Sequence, residues 1–324
     1  MTKAMNEMIP FEERWESLRP ALHDPVVYQR VDERHILDFY LGRDVTGERI
    51  LLLFSDREAP SGKQTQGIQV STARRADGKW SLVFKLLKPE LGKIFSHLCE
   101  DLVMASRSIT NPSEGPNFVM ARFARWQRLL ERGATELLSE NEVRGLIGEL
   151  IFLETYAIPR YGADVAVEGW VGPLAADQDF RYADCWYEVK AVVLDSPTVK
   201  ISSIEQLDVD VTQYEGELAA VCLDRTSPDE PDGVSLNGLV SRIRQLIDAF
   251  QHAESVFSDR LLEARYFDRP EYNNPYYKIK WLYRYSVTTD FPRLTRSTVP
   301  KGIRNAKYEI ALTSILCFKK NENE

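Results

Sequence analysis

Glu188-Val189-Lys190 sets a carboxylate and an ammonium inside an otherwise apolar run, Trp186-Tyr187-Glu188-Val189-Lys190-Ala191-Val192-Val193. Such a run predicts a strand. Side chains alternate along a strand, so Glu188 and Lys190 project to one side. Two charges in an apolar strand cost free energy unless they are paired or coordinate something. Asp179 lies upstream in Asp177-Gln178-Asp179-Phe180-Arg181, and a hairpin would bring it beside Glu188. Carboxylates converging at one point repel each other, and a divalent cation relieves the repulsion; hard oxygen ligands suit Mg²⁺ or Mn²⁺. Lys190 could then orient or help deprotonate a water, while the ion polarises a phosphoryl oxygen. Those parts describe metal-assisted hydrolysis of a phosphodiester. The bland alternative is a salt bridge on an edge strand, with Asp179 in a solvated loop.

A helix upstream supplies a fourth charge. Ser139-Glu140-Asn141-Glu142 fits a capping box, and Val143, Leu146, Ile147, Leu150 and Ile151 form an apolar face that Pro159 is expected to end. Glu149 falls at the edge of that face, and Gly145 and Gly148 would let the helix approach a sheet closely. Glu149 could then lean over the strand ends as a candidate extra metal or water ligand, and Glu154, nearer the centre of the apolar arc, is a second candidate.

Around this centre the pattern predicts strands at 167–171, 178–182, 185–194 and 218–224, with a short helix opening at 201–207. The order is helix, three strands, helix, strand, an α/β core with a mixed sheet. Before it, 49–56 reads as a strand, 67–87 as a hairpin and 90–105 as a helix. The breaker-rich stretch 109–117 marks a join. After the core, 236–250 and 253–266 read as helices, and 278–288 and 308–318 as strands. The expected division is an N-terminal α+β accessory domain (1–110), a core (118–226) and a C-terminal α+β extension (227–324).

The chain has 324 residues, 41 Lys and Arg against 49 Asp and Glu, and a formal net charge of -8, which excludes holding nucleic acid by bulk charge alone. No apolar run reaches membrane-spanning length, no secretory signal opens the chain, and four scattered cysteines and four scattered histidines give no zinc knuckle or disulfide framework. The expectation is a cytoplasmic chain with reduced thiols. The charge is uneven, however. The segment 276–308 holds eight Lys or Arg and one acid, Asp290, interleaved with Tyr276, Tyr277, Trp281, Tyr283 and Tyr285. Its Arg293, Arg296, Lys301 and Arg304, with a stripe of Arg122, Arg125, Arg128 and Arg132 at helical spacing, are candidate phosphate contacts, and its aromatics could stack on bases. Alternatively the aromatics face inward and the charges face water.

These residues resemble the PD-(D/E)xK phosphodiesterase superfamily, and more narrowly a bacterial group of PD-(D/E)xK motif proteins found near restriction-like and phage-defence loci. The matching stretches are 145–154, 178–181, 187–191 and 201–207, with a late match at 290–294 and 300–303. The resemblance implies a restriction-endonuclease-like mixed-sheet core (αβββαβ). It places the first acid on Asp179, the second on Glu188, the lysine on Lys190 and a helical glutamate on Glu149, with Gln206 where some branches carry an accessory polar residue. Gln178 stands where the motif has proline. The implied activity is a Mg²⁺- or Mn²⁺-dependent DNA endonuclease, or a nuclease subunit acting with other defence-system subunits, and a homodimer for double-strand cutting. The alternatives are a non-catalytic DNA-binding or scaffolding subunit and a plain structural domain.

Overall fold

The computed structural model describes residues 10–19, 26–61, 67–131 and 137–321. The chain divides into two compact units, Met1–Leu137 and Leu138–Glu324. The first contains α1 (Phe11–Ser17), β1 (Val27–Arg30), β2 (Asp38–Arg43), β3 (Arg49–Ser55), β4 (Ile68–Arg74), β5 (Trp80–Leu86), α2 (Gly92–Ala105) and α3 (Gly115–Glu131). Its five strands form an antiparallel sheet in the order β1-β2-β3-β5-β4. The turn at Asp77-Gly78 closes the β4–β5 hairpin, with Gly78 at φ 84.

The second unit contains α4 (Glu140–Phe152), α5 (Ile158–Tyr161), α6 (Ala163–Gly169), β6 (Phe180–Arg181), β7 (Cys185–Val193), β8 (Thr198–Ile201), β9 (Glu215–Thr226), β10 (Gly233–Val234), α7 (Leu236–Ile247), α8 (Gln251–Glu263), β11 (Tyr276–Ser286) and β12 (Tyr308–Ala311). Its main sheet runs β10-β11-β9-β7-β6, with β7 parallel to β9 and the other neighbours antiparallel. It is the mixed α/β architecture of a restriction-endonuclease-like core. β9 is buried on both faces. Ala219, Val221 and Leu223 meet the cluster built from α4, α6, α7 and α8. Leu218, Ala220 and Cys222 meet the one built from β8, β12 and Ile315. That double burial is why 218–224 reads as a continuous apolar run.

Several expectations change. The division falls at Leu137, not at 109–117, because the helix after that join packs on α2 in the first unit. Nor is 227–324 a separate extension, since β11 pairs with β9 along the core sheet. Residues 167–171 are not a strand: Ala163–Gly169 is helical, Ala166 and Val167 packing into the core. Val171 and Gly172 instead bond the Asp179 carbonyl. The link from β7 to β9 passes through β8 and turns, without the helix expected at 201–207. The strand expected over 308–318 stops at Ala311 and continues as a 3-10 turn. Pro159 does not end the helical path. A π turn at Leu153–Ala157 widens the backbone before it, and Pro159 sits in the first turn of α5, where its missing N–H costs little. Among the described residues no helix is long and apolar enough to cross a membrane.

Candidate active site

The centre lies at the β6 edge of the sheet. Glu188 shares the Trp186 and Val192 face of β7. It is fully buried. β6 has only two residues, paired Phe180↔Tyr187 and Arg181↔Trp186. The ladder therefore stops before Val189, and its amide donates instead to Asp179 Oδ2 at 2.8 Å. That bond fixes Asp179 beside Glu188. Glu149 comes from α4, which crosses β7 closely: a Cβ on Gly148 would lie 3.1 Å from that of Ala191. Gly145, expected to share this role, faces open space. Trp170 Nε1 donates to Glu149 Oε2 at 2.7 Å and aims it at Asp179. A Cβ on Gly172 would sit 2.9 Å from Asp179 Oδ1 and 3.1 Å from Glu149 Oε2, so only a glycine leaves the two carboxylates room to converge.

Lys190 Nζ lies 2.5 Å from Glu188 Oε1. Even so, neither Glu188 oxygen takes part in a well-formed hydrogen bond. Lys190 also donates to Gln206 Oε1 at 3.2 Å, and the Ser202 amide holds that same oxygen at 2.7 Å. The electrostatics follow from crowding. Burial, then the Asp179 charge, pushes Glu188 well above the usual carboxylate range, with Lys190 opposing. Burial and then Asp179 push Glu149 up to about 8 against the Trp170 hydrogen bond. Asp179 is raised by burial, with Lys190 and the Val189 amide pulling it down. Burial pulls Lys190 down, but the Glu188 and Asp179 charges outweigh it and its pKa rises. Lys190 therefore remains a cation at neutral pH, which suits orienting and stabilising rather than deprotonating a water.

A cation fits these donors. Glu188 offers a buried Oε2 without a partner, its Oε1 lying against Lys190, and Asp179 has Oδ1 turned toward Gly172. Among the described residues no three His, Cys, Asp or Glu side chains close into a ligand cage. An ion held here would keep waters or phosphate oxygens in its other positions, as Mg²⁺ commonly does.

The structure thus brings Asp179, Glu188, Lys190, Glu149 and Gln206 together. It does not bring Glu154, whose carboxylate meets Arg242 of α7 in a bidentate pair at 3.0 and 2.7 Å. The proposed phosphate contacts divide. Arg122 is buried in a bidentate pair with Asp101 at 2.8 and 2.6 Å, and is closed to a ligand. Arg125 is half-buried and already engaged. Arg132 lies outside the described residues. Arg293 donates to the Leu207 and Val209 carbonyls, and Arg296 pairs with Glu205 and donates to the Arg304 carbonyl. Lys301, Arg304 and Lys307 are exposed. Much of the positive excess of 276–308 meets acids elsewhere in the unit: Lys278 pairs with Glu230, Lys280 with Asp224 and Arg284 with Glu217. Its aromatics are also occupied. Tyr277 and Tyr285 are buried, and Trp281 stacks on Tyr283 at 4.6 Å.

Trp170 and Gly172 belong to the site and carry no motif, and Gln178, at the motif's proline position, belongs to it as well. Gln178 is buried, and its amide donates to the Glu205 carbonyl at 2.9 Å, tying the Asp179 segment to the turn that holds Gln206. A proline there could not make that bond. The one available signal was a large indole next to a Gly-Pro pair just before the acid.

Residues 11–313 match the family described as "Putative PD-(D/E)XK family member, (DUF4420)". No curated protein and no solved structure matches the chain.

Proposed function

From a chain that belongs to this PD-(D/E)XK family, we propose a metal-dependent DNA endonuclease. One observation carries the reading: Glu188 is fully buried beside Asp179, its Oε1 against the Lys190 ammonium and its Oε2 without a partner. A folded protein keeps such a carboxylate at a cost unless something binds it. Asp179 and Glu188 would hold Mg²⁺ or Mn²⁺, with Glu149 lending an outer or direct oxygen. The bound cation would supply charge to a phosphoryl oxygen and an acidified water. Lys190, kept charged by its neighbours and aimed by Gln206, stabilises charge on the attacked phosphate. Before the cation arrives, Glu149, with Oε2 taken by Trp170, can hold a proton near neutral pH, which it gives up on lending its oxygen to the ion. Lys301, Arg304 and Lys307 meet the backbone of the DNA. The site stands in one copy per chain, so a double-strand cut calls for two chains. A restriction-like or phage-defence setting, with other subunits, is part of the reading. Phage plating on cells with and without the intact gene tests that setting, and equal plating counts against it.

Plasmid incubated with Mg²⁺ or Mn²⁺ should be cut by the protein, and Lys190→Ala should lower the rate by ~10² or more, the effect of removing one preorganised charge-stabilising group. Unchanged cleavage by Lys190→Ala would remove Lys190 from the mechanism.

A further inference from the structure

Beside the carboxylates a cleft of ≈ 250 Å³ opens, lined by Leu138, Gly145, Leu146, Pro173 and Ala264, with Glu142 and Arg265 also on its wall. It has room for an organic group rather than a lone water. Glu149 and Gly172 line it as well, so it is continuous with the centre. Two features of its wall run against folding preference. Gly145 lies inside α4, where glycine is among the poorest helix formers, and a Cβ there would meet nothing within 4 Å. Arg265 has φ 59 at the end of α8. The Tyr266 amide bonds the Leu261 carbonyl and the Arg265 amide that of Leu262, the helix-ending motif whose left-handed position favours glycine. Arginine at that position puts a guanidinium on the cleft wall, held by Glu142.

We propose that this cleft receives the sugar and base of the nucleotide next to the scissile phosphate, and that Arg265 binds that nucleotide's outer phosphate. The inference rests on the phosphodiesterase reading. A strand presenting a phosphate to Asp179 and Glu188 continues past Glu149 and Gly172 into this space. The aliphatic walls suit a sugar and base face, not a further charge. Arg265 has five donors, so a phosphate can share it or displace Glu142 from it.

Two variants test this without weakening the fold. Gly145→Leu fills the cleft from a position with space for a side chain and improves helix propensity. Arg265→Gly relieves the left-handed residue while removing the guanidinium. Binding is read by anisotropy of a short fluorescein-labelled duplex in Ca²⁺, cleavage on plasmid in Mg²⁺, and folding by thermal melting. Each variant should melt no lower than the parent, yet bind the duplex about 10-fold more weakly and raise KM to match, the scale of a filled or emptied subsite. Gly145→Leu with parental KM and duplex affinity overturns the cleft assignment. Arg265→Gly with parental affinity overturns the role of the guanidinium. A parent protein that neither binds nor cuts DNA fails the phosphodiesterase reading itself, a different result from a parent that cuts and a Gly145→Leu that cuts equally well.

Discussion

If Glu188 and Lys190 are kept for chemistry, replacing both should strengthen the fold. Glu188 is fully buried and the Lys190 side chain is 16% exposed, so both charges have lost most of their water. Their contact at 2.5 Å returns part of that loss, but Glu188 lacks the further hydrogen bonds that would complete the repayment. Exchanging a buried pair for apolar residues of similar volume is typically neutral to stabilising by about 1–4 kcal/mol. Taking ~2 kcal/mol for Glu188→Leu/Lys190→Met gives a Tm rise of about 4–8 °C for a unit of this size. Lys190→Met alone leaves Glu188 beside Asp179 without its nearest cation. The cost is about 3–5 kcal/mol, reduced by whatever Glu188 regains in taking up a proton. The assay is thermal melting in EDTA, with Mn²⁺ titration by calorimetry alongside. The double variant should melt above the parent and bind no Mn²⁺, and the single variant should melt below it. A double variant that melts as low as the single one would show that the pair is a structural strut. Parental Mn²⁺ affinity in the double variant would remove Glu188 from the ligand set.

Folding raises Glu149 from 4.5 to about 8, and raises Glu188 as well, so between those pH values the folded chain binds more protons than the unfolded one. The stability Glu149 contributes is complete below pH 4.5 and is lost as pH climbs through about 8, and Glu188 adds a loss of the same sign. The metal-free protein should need less urea for unfolding at pH 8.5 than at pH 5.5, and a higher midpoint at pH 8.5 contradicts the assignment. Lys301→Ala/Arg304→Ala/Lys307→Ala should flatten the plot of log affinity for DNA against log salt by about 2.7, at ~0.9 per phosphate contact; an unchanged slope places the DNA elsewhere. Arg122→Ala strands the Asp101 carboxylate and should cost about 3 kcal/mol in urea unfolding while leaving that slope alone.

The arrangement of the candidate site was legible where it depended on local periodicity. A charge pair two residues apart in an apolar strand fixes its own geometry, and one hairpin is enough to deliver Asp179. Glu149 was legible from helical rotation because α4 is regular as far as Phe152. Glu154 was not, because five residues at 100° each set it about 140° around the helix from Glu149, on the side where Arg242 of α7 meets it. Partners distant in sequence were the larger gap. The Arg122 stripe looks like a solvent face until Asp101 and Trp126 close around it, and Arg293 looks available until the 207–209 carbonyls claim it. Residues 167–171 follow the same rule. They read as a strand, but Val167 packs into the core with Ala166 as successive residues of the helix Ala163–Gly169.

Asp179 also finishes the sheet. Its carboxylate occupies the Val189 amide that the next rung of β6 would have taken, so a side chain, not a strand, closes this part of the sheet border. Bare border amides invite pairing with another chain. Asp179→Asn retains an acceptor for Val189 and should lose chemistry while staying monodisperse. Asp179→Ala strips the border bare next to the apolar β7, and a preparation of that variant is the one at risk of self-association. Inactive protein for solution work is therefore better made with asparagine at this position than with alanine.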